Sequence, residues 1–242
     1  MTTRTVEVSP QVYARIAGIL YLIIIIAGAL GQIFIRGKLI VAGDAAATAG
    51  NLMASQSLWR IGIAGDLLMH VFDIPLMLAL YLLLKPVNKH LAVSAVLFNL
   101  IQTAVLVVNK LNLLVPLFLL GNAEYLKALE PRQLQALAYL PLKLHDYGFG
   151  IGLIFFGCVC LVQGYLIFKS GFLPKTIGVL MALAGLSYLT NSITLLLAPA
   201  YAEMVVPVLA LALLGELALA LWLIVKGVNI PKWHAKAHLQ AE

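Results

Sequence analysis

Six long apolar stretches succeed one another along this chain, each long enough to cross a bilayer, with short polar connections between them. They fall at about residues 12–35, 57–84, 91–120, 144–168, 174–197 and 204–226. Basic and Gly/Pro signals punctuate them, as at Arg36-Gly37-Lys38, Lys85-Pro86-Val87-Asn88-Lys89 and Lys169-Ser170-Gly171. Only 11% of the 242 residues are charged and 62% are hydrophobic. A soluble domain carries about 25% charged residues, so this chain has too few polar groups to cover a water-facing surface. The expected fold is an all-α integral membrane protein, a bundle of six transmembrane helices forming one domain over residues 1–242. Residues 227–242 are expected to be a short basic cytoplasmic tail. The first apolar run exceeds the roughly 7 to 15 residues of a signal-peptide core, and is expected to stay as an uncleaved span.

The net charge is +6. The basic residues sit mainly at the ends of the apolar stretches, where they set topology and meet lipid headgroups. The expected partner is therefore the bilayer and not nucleic acid. One side of the membrane collects Arg4, Arg15, Lys85, Lys89, Lys169, Lys175, Lys226, Lys232 and Lys236. The other has Arg36, Lys38, Arg60, Lys127, Arg132 and Lys143, interspersed with Asp44, Glu124, Glu130 and Glu203. That asymmetry predicts that both termini are cytoplasmic. Cys158 and Cys160 are two apart, so on a helix they point to different sides and read as packing residues.

Two outer connections carry helix signals. Asp44 precedes Ala45-Ala46-Ala47-Thr48-Ala49 as an N-cap precedes good helix formers. Pro131 opens a mixed polar and apolar run to Leu140. Short outer-face helices are expected in loops 1 and 3. Gly148 and Gly152, with Gly157 and Gly164 further on, predict close helix approach.

The second stretch carries Asp66, His70 and Asp73. Steps of four and three residues bring these side chains to one helix face. Ionisable groups within a membrane are costly, and they face a partner or a water-filled cavity. Pro75 comes next, removing one backbone donor. The third stretch adds Asn99 and Gln102, then Asn109, Lys110 and Asn112; the fourth opens with His145 and Asp146. Tyr188, Thr190 and Asn191 lie on the fifth and Glu216 on the sixth.

Three readings fit this constellation. The charges could be structural, Asp66 pairing with Arg60 or Lys110, and Asp146 with Arg60. They could form a site for a small polar ligand or for protons, centred on Asp66, His70 and Asp73, with His145, Asp146, Arg60 and Asn99 around them. Or Asp66, His70, Asp73 and His145 could bind zinc or iron in a membrane-embedded enzyme. The second is the working expectation. Nothing in the sequence marks a dimer seam, a ligand identity or a catalytic residue.

Four segments carry a resemblance. They are Gly43-Asp44-Ala45-Ala46-Ala47-Thr48-Ala49, Leu80-Tyr81-Leu82-Leu83-Leu84-Lys85-Pro86-Val87, Leu144-His145-Asp146-Tyr147-Gly148-Phe149-Gly150, and the run from Gly164 to Pro174. Together they resemble a large group of bacterial multi-pass membrane proteins known as domain of unknown function 4386. The resemblance implies an inner-membrane protein of about six helices, from a bacterium or archaeon. It implies no activity, substrate or catalytic residue.

Overall fold

A computed structural model of the chain describes residues 9–239. Arg4 and the last three residues of the tail, 240–242, lie outside the described residues. Within them every regular element is helical. The first, α1 (Pro10–Leu30), is capped by the Ser9 side chain and continues through a π-helical turn, Gly31–Arg36, to Leu39. Next come α2 (Ala45–Ala54), α3 (Gln56–Leu84), α4 (Lys89–Asn109), α5 (Leu111–Leu119), α6 (Pro131–Ser170), α7 (Lys175–Leu197), α8 (Leu209–Val225) and α9 (Ile230–His238).

Six spans emerge by length and hydropathy: Pro10–Leu39, Gln56–Leu84, Lys89–Leu119, Pro131–Ser170, Lys175–Leu197 and Pro199–Val225. The third joins α4 to α5 through a turn at Lys110. An even number of crossings puts the two ends of the bundle on one face, here called the terminal side.

The side chains sort by environment as a bilayer requires. On α3, Trp59, Gly62, Ile63, Asp66, His70, Asp73, Met77, Leu80 and Leu84 are buried, while Leu67, Leu68, Val71 and Ile74 lie exposed on the outside of the bundle. The buried stripe keeps to steps of three and four, the period of one helix face. With lipid outside as apolar as the core, close backbone packing contributes much of the association. The backbones of α6 and α7 come especially close. A Cβ on Gly164 would lie 2.7 Å from the Gly178 carbonyl, and one on Gly157 3.0 Å from that of Gly185. The glycines along α6 thus serve packing, as their spacing predicts.

Loop 1 holds the expected helix: Asp44 accepts from the Ala47 amide at the N-terminus of α2. Loop 3 corrects the expectation. The segment from Pro131 to Leu140 is helical but does not form a separate surface helix; it is the first quarter of α6, a single 40-residue helix. At 1.5 Å per residue that helix is about 60 Å long, twice the roughly 30 Å of bilayer hydrocarbon. Rising polarity along the sequence suggests an end to the span. The backbone instead continues past the lipid, because a second core receives the projecting turns: Leu142 and Tyr139 pack with Leu52, Trp59, Leu113 and Leu117. Trp59 donates its indole N–H to the Leu113 carbonyl at 2.8 Å, and Tyr139 accepts from the Gly43 amide.

On the terminal side the tail is also more ordered than a solvated basic segment. α9 is capped by Asn229, and the Trp233 indole donates to the Leu83 carbonyl at 2.9 Å. Gln11 ties the start of α1 to the same corner, donating to the Lys226 carbonyl and accepting from the Val228 amide.

Candidate functional site

The π-helical turn in α1 decides which cation meets Asp66. An inserted residue there widens the helix and shifts the register of the turns beyond it, and Arg36 comes round to face α3. Its guanidinium donates to Asp66 Oδ2 at 2.6 Å, and its Nε donates to Gln32 Oε1 at 2.8 Å. Lys110 Nζ, from the turn between α4 and α5, donates to the same Asp66 oxygen at 2.8 Å. Gly31 leaves room for this junction, since a Cβ there would lie 3.1 Å from Asp66 Oδ1. The Asp66 and Lys110 side chains are only 2% and 5% exposed, so both charges survive burial by pairing.

Lys110 is therefore a partner of Asp66, as expected, but Arg60 is not. Arg60 is exposed on the outside of α3, and Arg36 takes the place expected of it. Gly37 and Lys38, directly after Arg36, make that residue look like part of a loop. The helix runs on to Leu39, which brings Arg36 into the bundle. The expected Asp146–Arg60 pair is likewise absent among the described residues. The Asp146 side chain is 61% exposed, with His145 Nδ1 at 4.0 Å.

A cavity of about 340 Å³ lies inside the bundle, between this ion cluster and the middle of the spans. His70, Asp73 and Asn99 line it from α3 and α4, joined by Gln102, Gln163, Tyr188 and Glu216 from α4, α6, α7 and α8. Tyr21, Phe149 and Phe156 form much of its aromatic wall. Thr103 donates its hydroxyl to Asp73 Oδ2 at 2.6 Å. Tyr188 donates its hydroxyl to Glu216 Oε1. The ring of Tyr188 also leans on Phe156, with centroids 5.2 Å apart. His70 is buried, and its Nε2 has no hydrogen-bond partner among the described residues.

The seven site residues singled out in the sequence thus divide. His70, Asp73 and Asn99 face one cavity. Asp66 stands beside it in the ion cluster. His145 is buried, its Nε2 without a hydrogen-bond partner among the described residues, but does not line the cavity; its backbone carbonyl accepts from Asn109 Nδ2 at 2.9 Å. Arg60 and Asp146 lie at the exposed surface. Nor do Asp66, His70, Asp73 and His145 gather round one point: among the described residues, no three His, Cys, Asp or Glu side chains form a group that could hold a metal ion.

Gln102, Gln163, Tyr188 and Glu216 are among the polar cavity residues that sequence reasoning did not assign to the site. Glu216 had a signal, being the only acidic residue within the apolar stretch of α8. What the sequence lacked was its facing partner.

The profile of a family described as "Domain of unknown function (DUF4386)" matches residues 16–227. A protein of Archaeoglobus fulgidus, described as "Uncharacterized protein", is 28% identical over 170 residues, covering 68% of this chain and 83% of the archaeal one. No solved structure matches.

Proposed function

The chain belongs to the DUF4386 family, whose description carries no activity, and from the geometry of its bundle we propose that it holds a small polar ligand or protons at an intramembrane site. The observation that carries this reading is the cavity of about 340 Å³, into which His70, Asp73 and Glu216 open. Ligand sites have volumes of roughly 300 to 1,000 Å³, with apolar walls and a few converging polar groups. A buried imidazole nitrogen with no partner costs free energy unless something bonds to it. A core serving packing alone would be expected to fill such a space with apolar side chains.

Asp66 has a different part. Its pairing with Arg36 and Lys110 supports the structural reading for that one carboxylate. It fixes α1, α3 and the α4–α5 turn against each other beside the cavity, and so positions the site. The metal-enzyme reading draws no support from the arrangement of Asp66, His70, Asp73 and His145.

We place the protein in a bacterial or archaeal plasma membrane with both termini cytoplasmic. The excess of basic residues on the terminal side supports this orientation. Arg36, counted on the opposite side by sequence, is occupied by Asp66 and adds to that asymmetry.

A ligand screen on the full-length protein, purified in detergent, tests the site. Small polar compounds of each charge class are scored by thermal stabilisation, beside direct measurement of proton uptake, in wild type and Gly28→Leu. Gly28 lines the cavity, and a Cβ there meets only Met69 Sδ at 3.5 Å, so leucine enters open space. Saturable stabilisation or proton uptake that Gly28→Leu abolishes is expected. Identical behaviour of the two proteins across the whole screen would overturn the proposal.

A further inference from the structure

We propose that the cavity selects a small organic cation, a protonated amine on an apolar body; this rests on the reading of the cavity as a ligand site. Asp73 and Glu216 both line it, and among the described residues neither has a Lys, Arg or His nitrogen within 4.0 Å. Each instead accepts from a neutral hydroxyl, Thr103 for Asp73 and Tyr188 for Glu216. The two cations of the bundle interior, Arg36 and Lys110, are both engaged with Asp66. Three carboxylates thus stand against two basic side chains, an excess of one negative charge when all are ionised. One positive charge in the cavity would close the balance.

His70 is the independent observation. It is 4% exposed, it lines the cavity, and its Nε2 has no hydrogen-bond partner among the described residues. A neutral imidazole nitrogen is an acceptor when the other nitrogen carries the proton. An ammonium group has three N–H donors and no acceptor, so it suits a cavity whose lining offers carboxylates and an acceptor imidazole nitrogen. The aromatic wall of Tyr21, Phe156 and Tyr188 suits the same ligand, since a ring face attracts a cation and the rings offer an apolar surface to its body. No Lys or Arg lines the cavity among the described residues. A carboxylate or phosphate would therefore find no counter-charge, which weighs against anionic ligands and against the phosphate of a lipid headgroup.

Three probes of one shape test the charge preference: 2-phenylethylamine, 2-phenylethanol and 3-phenylpropanoate, titrated by calorimetry into the full-length protein in nanodiscs at neutral pH. The amine is expected to bind saturably, the alcohol at least tenfold more weakly, and the acid not at all. Asp73→Asn and Glu216→Gln are each expected to weaken the amine about 10- to 100-fold, as loss of a charge-assisted hydrogen bond does. If one variant fails to fold, the other and the wild-type probe series still decide. Equal binding of amine and alcohol, or binding of the acid, would overturn the cation preference while leaving the ligand site standing. No binding of any of the three would overturn the cation preference, and the Gly28→Leu comparison then judges the cavity itself.

Discussion

Lys110 Nζ lies 2.8 Å from Asp66 Oδ2 at the turn where α4 gives way to α5. The helix break and the ion pair are one arrangement. The turn at Lys110 separates two helical segments of a single span, and the residue at the turn carries the cation that joins this span to α3. Arg36 reaches the same oxygen from another irregular element, the π-helical turn of α1. Both irregularities converge on one buried carboxylate.

Removing that carboxylate should therefore destabilise the bundle. Asp66→Ala leaves two cations without their shared counter-charge, and breaking a buried pair in this way costs about 3 to 5 kcal/mol. The expected result is a lower melting temperature and less folded protein in detergent. Adding Lys110→Met to Asp66→Ala should recover part of the loss. Equal stability of Asp66→Ala and wild type would mean that the cluster holds nothing together.

The α6–α7 seam should be the least tolerant packing surface. A Cβ at Gly164 meets the Gly178 carbonyl at 2.7 Å and the Ala182 amide nitrogen at 2.8 Å, and backbone atoms cannot turn aside as a side chain can. Gly164→Ala should cost about 1 to 3 kcal/mol, read as a drop in thermal midpoint. At Gly50, where a Cβ meets nothing within 4 Å, the same change should be nearly neutral or stabilising.

Gly148 and Asn109 should couple. A Cβ on Gly148 would fall 2.3 Å from Asn109 Oδ1, and Asn109 donates to the His145 carbonyl on the same helix as Gly148. Gly148→Ala alone should destabilise by forcing Asn109 away. In an Asn109→Ala background the same substitution should cost at least about 0.5 kcal/mol less, measured as the interaction energy of a double-mutant cycle.

Trp233→Phe removes the indole donor to the Leu83 carbonyl and keeps an aromatic ring. The expected outcome is a loss of about 1 kcal/mol in the docking of α9. Limited trypsin digestion should then cut faster at Lys232 and Lys236, while the thermal midpoint of the bundle changes little. Unchanged cleavage would show that packing alone seats the tail helix.

Metal content gives a further check. Protein purified without chelators is expected to carry less than stoichiometric zinc and iron, because the four candidate ligands do not gather round one point. His70→Ala should leave that content unchanged. Stoichiometric metal lost in the variant would bring back the metal-enzyme reading.

Much of this arrangement is legible along the chain. The steps from Asp66 to His70 to Asp73 predict one buried face, and α3 turns that face inward. Asp44 predicts the start of α2 and caps it. These features depend on residues within a turn or two of each other, where helix geometry alone sets the outcome. That Arg36 supplies the partner of Asp66 was not legible. Arg60 is six residues from Asp66 and Arg36 thirty, but on a helix a separation of six points away, whereas the distant residue arrives through packing. The length of α6 was hidden for a similar reason: its first turns read as a separate short helix until the far-side core that receives them is seen.

The sequence by itself determined that this protein is a bundle of membrane-crossing helices, because an apolar stretch of that length can satisfy its backbone in lipid only by coiling on itself. It also determined which face of α3 is buried, because charge cannot face hydrocarbon without cost. The tertiary structure decided which charges pair and which remain open. Asp66 is closed off by Arg36 and Lys110, while Asp73 and Glu216, 143 positions apart in the sequence, share the lining of one cavity with His70, whose Nε2 has no hydrogen-bond partner among the described residues. Pairing between distant segments depends on helix register, on a π-helical turn and on where glycines let backbones approach. None of these is a property of a single stretch of sequence.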